Sequence, residues 1–314
     1  MIRVSAVIPV WNAESTIAEA VESVFAQTFR DFELIAVNDG STDGTAAILE
    51  SFGGRIKVIN RANSGPAAAR NAGVRASGGE YLAFLDADDR WMPGMLARTA
   101  AALDSDPACA MAYGNLAMLD SEGDSLNSSL IGPELAHAPS MEEILARMWP
   151  IMPSAALIRR SAFERCGGFR EEFKTASYED AYLWLMLREQ GHFHYIPENL
   201  AAWRFSLYPR LIKPSAGGRD RATFERLVRE RYNVTPERLV GARARASRSI
   251  LGYIGLMALT RGDKIGARRA FTRALATDPY RLKNYLRLMK TFLPLSLARS
   301  LSGRTARSHG AISN

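Results

Sequence analysis

Cysteine is nearly missing from this chain: Cys109 and Cys166 are the only two in 314 residues. So few, so far apart, exclude a disulfide framework and any paired-cysteine metal motif, and they suit a reducing compartment. No apolar run reaches the roughly 18 residues that span a bilayer. The chain enters "VSAVIPV" with no basic region ahead of it and no cleavage site after it, so no signal peptide is expected. No G-x-G-x-x-G follows that run, which argues against dinucleotide chemistry. Acidic residues are scarce in one part only. Residues 204–314 hold 24 Lys+Arg against 6 Asp+Glu, a balance of +18, whereas residues 1–203 hold 16 against 27, a balance of −11. The net charge of +7 thus conceals two regions, and the basic one hints at an anionic partner. No recognised nucleic-acid motif accompanies it, and no nucleic-acid partner is expected.

What is present is enough apolar material, 47% of residues, for one large domain and an appendage. Short apolar runs alternate with amphipathic ones in the acidic region. "VSAVIPV", "FELIAVND" and "RIKVINR" read as strands; "ESTIAEAVESVFAQ" puts Ile17, Val21, Val24 and Phe25 on one helical face, and "GTAAILESF" reads as a short helix. Pro66 in "SGPAAARNAGVRA" suits a first helical turn capped by Ser64 or Gly65. This alternation predicts an α/β domain with an open, mostly parallel sheet covered on both faces.

Ligands of such sheets bind outside the carboxyl ends of the strands. Three runs end there in polar residues: Pro9 to Asn12, Asn38 and Asp39, and Asp86 to Asp89 of "YLAFLDADDRWMP". If the backbone stays extended, Asp86 and Asp88 share a side and Asp89 points elsewhere. Two carboxylates about 6 Å apart repel by roughly 3 kcal/mol at an effective dielectric near 20, a cost a divalent cation offsets. Hard oxygen donors without cysteine suit Mg²⁺ or Mn²⁺, although aspartates also favour a plain solvated turn.

The segments "VSAVIPVWNAE", "DFELIAVNDGSTDGT", "NSGPAAARNAG" and "GGEYLAFLDADD" resemble, in order and spacing, the family 2 glycosyltransferases, and the resemblance runs from Ile2 to about Phe205. It implies the GT-A fold of nucleotide-diphospho-sugar transferases, a Rossmann-like sheet, here followed by a C-terminal helical extension. It implies an inverting transfer of sugar from an NDP-sugar, UDP-linked by preference, to the hydroxyl of a sugar or lipid-linked acceptor, in bacterial cell-envelope polysaccharide or glycoconjugate synthesis. Asp86 and Asp88 then form the DxD motif, with Asp88 the more direct ligand of Mn²⁺ or Mg²⁺ and Ala87 between them. Pro9, Trp11, Asn12 and Glu14 line the nucleoside pocket, Asp39 accepts from the base, and Arg70 faces the nucleotide. In "RCGGFREEFKTASYEDAYLWLMLREQGHFHYIP" the resemblance makes Asp180 the general base beside Glu179 on the acceptor side. Read alone, Ser177 as cap and Asp180 three residues on would merely start a helix. Arg204 stands where the family has an arginine closely followed by histidine, but the histidine is missing. The "QRRW"-like segment of processive members is also absent, which implies one sugar per encounter. His192 and His194 alternate as in a half-buried strand, with Phe193 and Tyr195 opposite.

The domain boundaries expected are a catalytic domain over 1–205, a Pro/Gly-rich linker over 206–222, a basic helical extension over 223–300 and a disordered tail over 301–314. The extension has the spacing of one tetratricopeptide-like pair, short of a freestanding array. Its segment 281–307 mixes leucines with Arg and Lys as peripheral membrane segments do, so cytoplasmic placement with contact to the inner face of the plasma membrane is expected. Two rival readings are a catalytically silent nucleotide-sugar binder with a partner-binding tail and a nucleotidyltransferase. The latter should carry a basic Gly-rich loop where "PVWNAES" stands.

Overall fold

The apolar runs Val4–Val10, Phe32–Asn38 and Tyr81–Phe84 become strands buried along most of their length, as parallel strands covered on both faces require, whereas the edge strand Lys57–Asn60 is partly exposed. The computed structural model describes residues 2–119, 123–131, 136–147, 151–175, 178–204, 218–234, 255, 258–259, 262–277, 282–294 and 296–297. The strands are β1 (Val4–Val10), β2 (Phe32–Asn38), β3 (Lys57–Asn60), β4 (Tyr81–Phe84), β5 (Arg90–Trp91), β6 (Cys109–Leu119), β7 (Ser125–Ser129), β8 (Ala156–Arg159) and β9 (His192–Arg204). They form one sheet in the order β3-β2-β1-β4-β8-β6-β9-β5, with β7 paired to β6. The helices are α1 (Ile17–Phe25), α2 (Thr45–Ser51), α3 (Pro66–Arg75), α4 (Met95–Ser105), α5 (Met141–Arg147), α6 (Arg160–Arg165), α7 (Glu179–Gln190), α8 (Gly218–Tyr232), α9 (Lys264–Thr277) and α10 (Leu282–Lys290).

Strand direction decides where the polar residues gather. β1, β2, β3 and β4 are mutually parallel, with Val10 opposite Asn38 and Asn38 opposite Asn60, so their carboxyl ends share one edge. β8 runs antiparallel to β4 and to β6, which brings the residues just before Ala156 to that edge. β9 is parallel to β6, so Arg204 arrives there too. α3 lies against β1 and β2, and it comes close because Gly73 has no side chain: a Cβ there would stand 2.3 Å from Cγ1 of Val7.

The described residues up to Leu145, with Ile151–Arg204 and Gly218–Val234, form one compact unit, and those from Gly255 to Leu297 belong to a second. The boundary differs from the expected linker over 206–222. α8 begins inside that stretch and belongs to the first unit. Asp220, buried in the first turn of α8, accepts from the backbone N–H groups of Lys174 and Thr175 at 3.1 and 2.6 Å and from the Thr175 hydroxyl at 2.6 Å. Phe224 packs on the rings of Tyr178 and Tyr182 at 5.3 and 6.4 Å. Pro209, Pro214 and Gly217, which suggest a linker, precede this helix, and Gly218 opens it. Residues 205–217 and the tail 301–314 lie outside the described residues.

In the second unit α9 and α10 form an antiparallel pair. Lys264, at the start of α9, donates to the carbonyl of Leu293 at 2.7 Å, and Arg268 donates to the hydroxyl of Thr291 at 3.2 Å. Ala258, Leu259, Ala267 and Phe271 make its core, with Leu288 and Leu293 against them. Among the described residues no helix is long and apolar enough to cross a membrane.

Candidate active site

Three carboxylates follow β4, and they go to different places. The backbone does not continue extended: the N–H of Asp89 donates to the carbonyl of Asp86 at 3.0 Å, closing a turn over Ala87 and Asp88. Strand alternation therefore does not relate Asp86 to Asp88. Asp89 turns inward and is buried, where one oxygen accepts from the Ser154 hydroxyl at 2.6 Å and the other from the Arg204 N–H at 3.1 Å. Burial, then the charges of Asp88 and Asp86, hold its carboxyl well above the ordinary carboxylate range. It anchors the turn. Asp86 is partly exposed and Asp88 exposed on the crevice side of this anchor. The N–H of Asp86 also donates to the Ser154 hydroxyl oxygen, at 3.2 Å.

Arg70 is no solvated surface residue: its side chain is 2% exposed inside the protein. One terminal nitrogen donates to Asp86 at 2.7 Å and the other to Glu179 at 2.9 Å, and the guanidinium sits 5.2 Å from the centre of the Phe169 ring. Its Nε has no partner. A planar fork serving two carboxylates is something arginine does and lysine cannot. The pairing ties the end of β4 to the start of α7 through Arg70, which lies 16 residues from Asp86 and 109 from Glu179 in sequence.

Glu179 opens α7, is buried, and its second oxygen accepts from the Tyr178 N–H at 3.2 Å. It is committed to Arg70 and the Tyr178 N–H. Asp180, next along, has one oxygen on the N–H of Ala181 at 2.6 Å. Burial, then the neighbouring charge of Glu179, push its carboxyl up to about 7, with Arg70 pulling the other way. A carboxylate poised near neutrality suits proton abstraction. The residue before α7 is Tyr178, whose side chain makes no cap; Ser177, the expected cap, lies outside the described residues.

On the other side of the crevice the loop after β1 is pinned to the loop after β2. Asn12, in the left-handed region at φ 49°, accepts from the Thr42 N–H at 2.8 Å, and Glu14 accepts from the Gly44 N–H at 2.7 Å. Their side chains thus shape the loop. Pro9 is partly buried at the end of β1, whereas Trp11 is 59% exposed. Asp39 is almost wholly buried. Its oxygens accept from the N–H groups of Ser64 and Gly65 at 3.0 and 2.8 Å and pair with Arg61 at 3.1 Å, so its observed work is to fix the entry to α3. Gly65 has φ 93°, and a Cβ there would lie 2.9 Å from the Lys174 carbonyl oxygen. Arg204 closes the site: its Nε donates to the Asp88 carbonyl at 3.1 Å and its guanidinium pairs with Glu19.

Sequence reading missed Ser154, Arg61 and the Arg70–Glu179 pair, none of which has a local signature. His192 is in β9 as expected and pairs with Asp106 at 2.8 Å; no cluster of three or more His, Cys, Asp or Glu able to hold a metal occurs among the described residues. Asp86 and Asp88 still fit a hard cation, which is commonly held by one or two carboxylates with substrate phosphates completing the shell. The carboxylates of Asp86, Asp88, Asp89, Glu179 and Asp180 gather here beside Arg70 and Arg204.

A family model described as "Glycosyl transferase family 2" matches residues 5–167. EpsE of Bacillus subtilis (strain 168), named as a glycosyltransferase, is 30% identical over 194 residues, which cover 60% of this chain and 68% of that protein. An uncharacterised glycosyltransferase of Nostoc, alr2836, is 30% identical over 64% of each chain. Among solved structures, TarS of S. aureus is similar with TM-score 0.54 and 19% identity, over 92% of this chain and 90% of that one. The mannosyltransferase PcManGT of Pyrobaculum calidifontis, solved with GDP-Man and Mn²⁺, is similar with TM-score 0.58 and 16% identity, over 96% and 84%. TarS has also been solved with UDP and with UDP-GlcNAc.

Proposed function

The chain belongs to glycosyltransferase family 2, and from that premise we propose that it moves a sugar, with inversion, from a UDP-linked donor to the hydroxyl of a sugar or lipid-linked envelope acceptor. One observation carries the reading: Arg70 draws the DxD carboxylate Asp86 and the acceptor-side Glu179–Asp180 pair to the same strand edge. Asp180 takes the proton from the acceptor hydroxyl as its oxygen forms a bond to the anomeric carbon and the bond to the diphosphate breaks. A carboxyl held near neutrality is ionised often enough to act and basic enough to drive the transfer. Arg70 and Glu179 hold the base in place. Trp11 stacks on the nucleobase and Arg204 stands near the leaving diphosphate. Asp88, with Asp86, would hold Mn²⁺ or Mg²⁺, which supplies Lewis-acid stabilisation of the leaving group. PcManGT was solved with Mn²⁺, which supports a divalent metal here.

The loop after β1 is neutral to acidic and is braced by Asn12 and Glu14, unlike the basic loop a nucleotidyltransferase needs. The test is a panel of UDP- and GDP-sugars with Mn²⁺, read by thermal stability. A donor at a hundred times its Kd stabilises by about 2.7 kcal/mol, which raises Tm by about 5 °C. A rise with one UDP-sugar is expected; a response to GDP-sugars alone would move the proposal to that nucleotide, and no response to any would contradict it.

A further inference from the structure

Eight large apolar side chains are exposed among the described residues, and six of them fall between Ile265 and Leu297. That concentration calls for an explanation, because apolar side chains exposed singly are ordinary and clustered ones mark contact surfaces. α10 carries most of it. Leu288 and Leu293 turn toward the core of the second unit and Thr291 is fully buried, so one face of the segment is already used. The other presents Tyr285, Leu286, Met289 and Phe292, spaced as a single helical stripe, the last three exposed by 52, 65 and 66%. α10 is therefore apolar on two faces, of which the fold covers one.

The surroundings of the stripe are basic. Arg287 and Lys290 each follow a stripe residue, Leu286 and Met289, on the same helix, and burial, then the neighbouring Arg287, hold the Lys290 ammonium below the ordinary lysine value. On α9 the guanidinium of Arg268 stacks 4.1 Å from the centre of the Phe292 ring, and exposed Ile265 precedes it by one turn. Residues 261–299 hold ten Lys+Arg against two Asp+Glu. A soluble protein partner would need an apolar groove rimmed by acids. An anionic bilayer offers both requirements in one surface: hydrocarbon for Leu286, Met289 and Phe292, and phosphates for the flanking cations.

We propose that the exposed face of α10, continued by Arg268 and Ile265 of α9, docks the protein peripherally on an anionic lipid surface. The docking is independent of the catalytic reading. Only its use rests on that reading: holding the enzyme on a membrane raises its effective concentration toward a lipid-linked acceptor.

The test uses the full chain and co-sedimentation with vesicles of phosphatidylcholine alone or with added phosphatidylglycerol. Binding to the anionic vesicles only is expected, released as salt rises because charges at a surface are screened. The double variant Leu286→Ser/Met289→Ser should lose at least about tenfold in apparent affinity, since two side chains no longer enter the hydrocarbon. Both residues are more than half exposed, so its Tm should match the parent. Arg287→Gln/Lys290→Gln should weaken binding at low salt and flatten the salt dependence. Stabilisation by a UDP-sugar, measured on the same variants, should not change, which separates failure of docking from failure of the transferase assignment. Equal binding to both vesicles, no binding to either, unaltered binding by the serine variant, or a concentration-dependent dimer that the serine variant abolishes would each overturn the proposal.

Discussion

Asp180→Asn is expected to keep donor affinity within a few-fold and to cut transfer by about 10²-fold or more, the scale of a lost general base. The amide still occupies the start of α7 and can still face the Ala181 N–H, so the helix persists while the proton acceptor is gone. The pH dependence makes the test specific. Burial and Glu179 raise the carboxyl to about 7, and only the ionised form can take a proton. The parental kcat/KM should therefore climb through about pH 7 and level above it, and the variant should lack that limb. Stability should move oppositely. A carboxyl whose folded value lies above its unfolded one of 3.8 contributes most below the unfolded value, and that contribution is lost as pH rises toward 7. The variant should accordingly lose less stability than the parent between weakly acidic and neutral pH. Parental transfer rates in the variant would reduce Asp180 to a residue that only starts a helix.

The second large effect is structural. Arg70→Ala should lower Tm by about 10 °C, because it strands the buried Glu179 carboxylate and removes the cation that Asp86 faces. Breaking a buried pair by deleting one partner costs about 3–5 kcal/mol, and a unit of this size loses roughly 2–4 °C per kcal/mol. Arg70→Lys should recover part of the loss, since a point charge reaches one carboxylate but not both. Glu179→Gln in the Arg70→Ala background should restore stability by neutralising the stranded charge. If Arg70→Ala melts with the parent, the pairing contributes nothing. In any folded form of this variant the Asp180 limb of the pH profile should move upward, because Arg70 helps the Ala181 N–H favour its ionised form.

These two residues also show how far the sequence could be read. The parallel strands were legible because burial on both faces leaves continuous apolar runs, and α3 because Pro66 sits where its missing N–H costs nothing. Asp86, Asp88 and Asp180 could be named together only through the family resemblance, since spacing alone makes Asp180 a residue that starts a helix. The pairing of Arg70 was not legible, because its partners lie 16 and 109 residues away and no periodicity records such a distance. The turn at Ala87 and Asp88 broke an argument that assumed an extended strand, and Ser154 decided which carboxylate went inside. The N–H groups that Asp39 accepts from, on Ser64 and Gly65, lie 25 and 26 residues away and leave no local mark in the sequence. The glycines before Arg219 read as linker, whereas Asp220 and Phe224 draw α8 onto the loop that leads to α7.

Donor binding by the crevice at the β4 end is the claim on which the rest depends, and calorimetric titration of the parent and Asp88→Asn with a UDP-sugar, with Mn²⁺ and with a chelator, tests it most directly. The parent should bind tightly with Mn²⁺ and weakly without. Asp88→Asn should bind weakly in both conditions, at the level of the chelated parent, because an amide oxygen is a poorer ligand than a carboxylate and Asp86 already shares an oxygen with Arg70. Equal, metal-dependent affinity in parent and variant would contradict the assignment of Asp88 and, with it, the site.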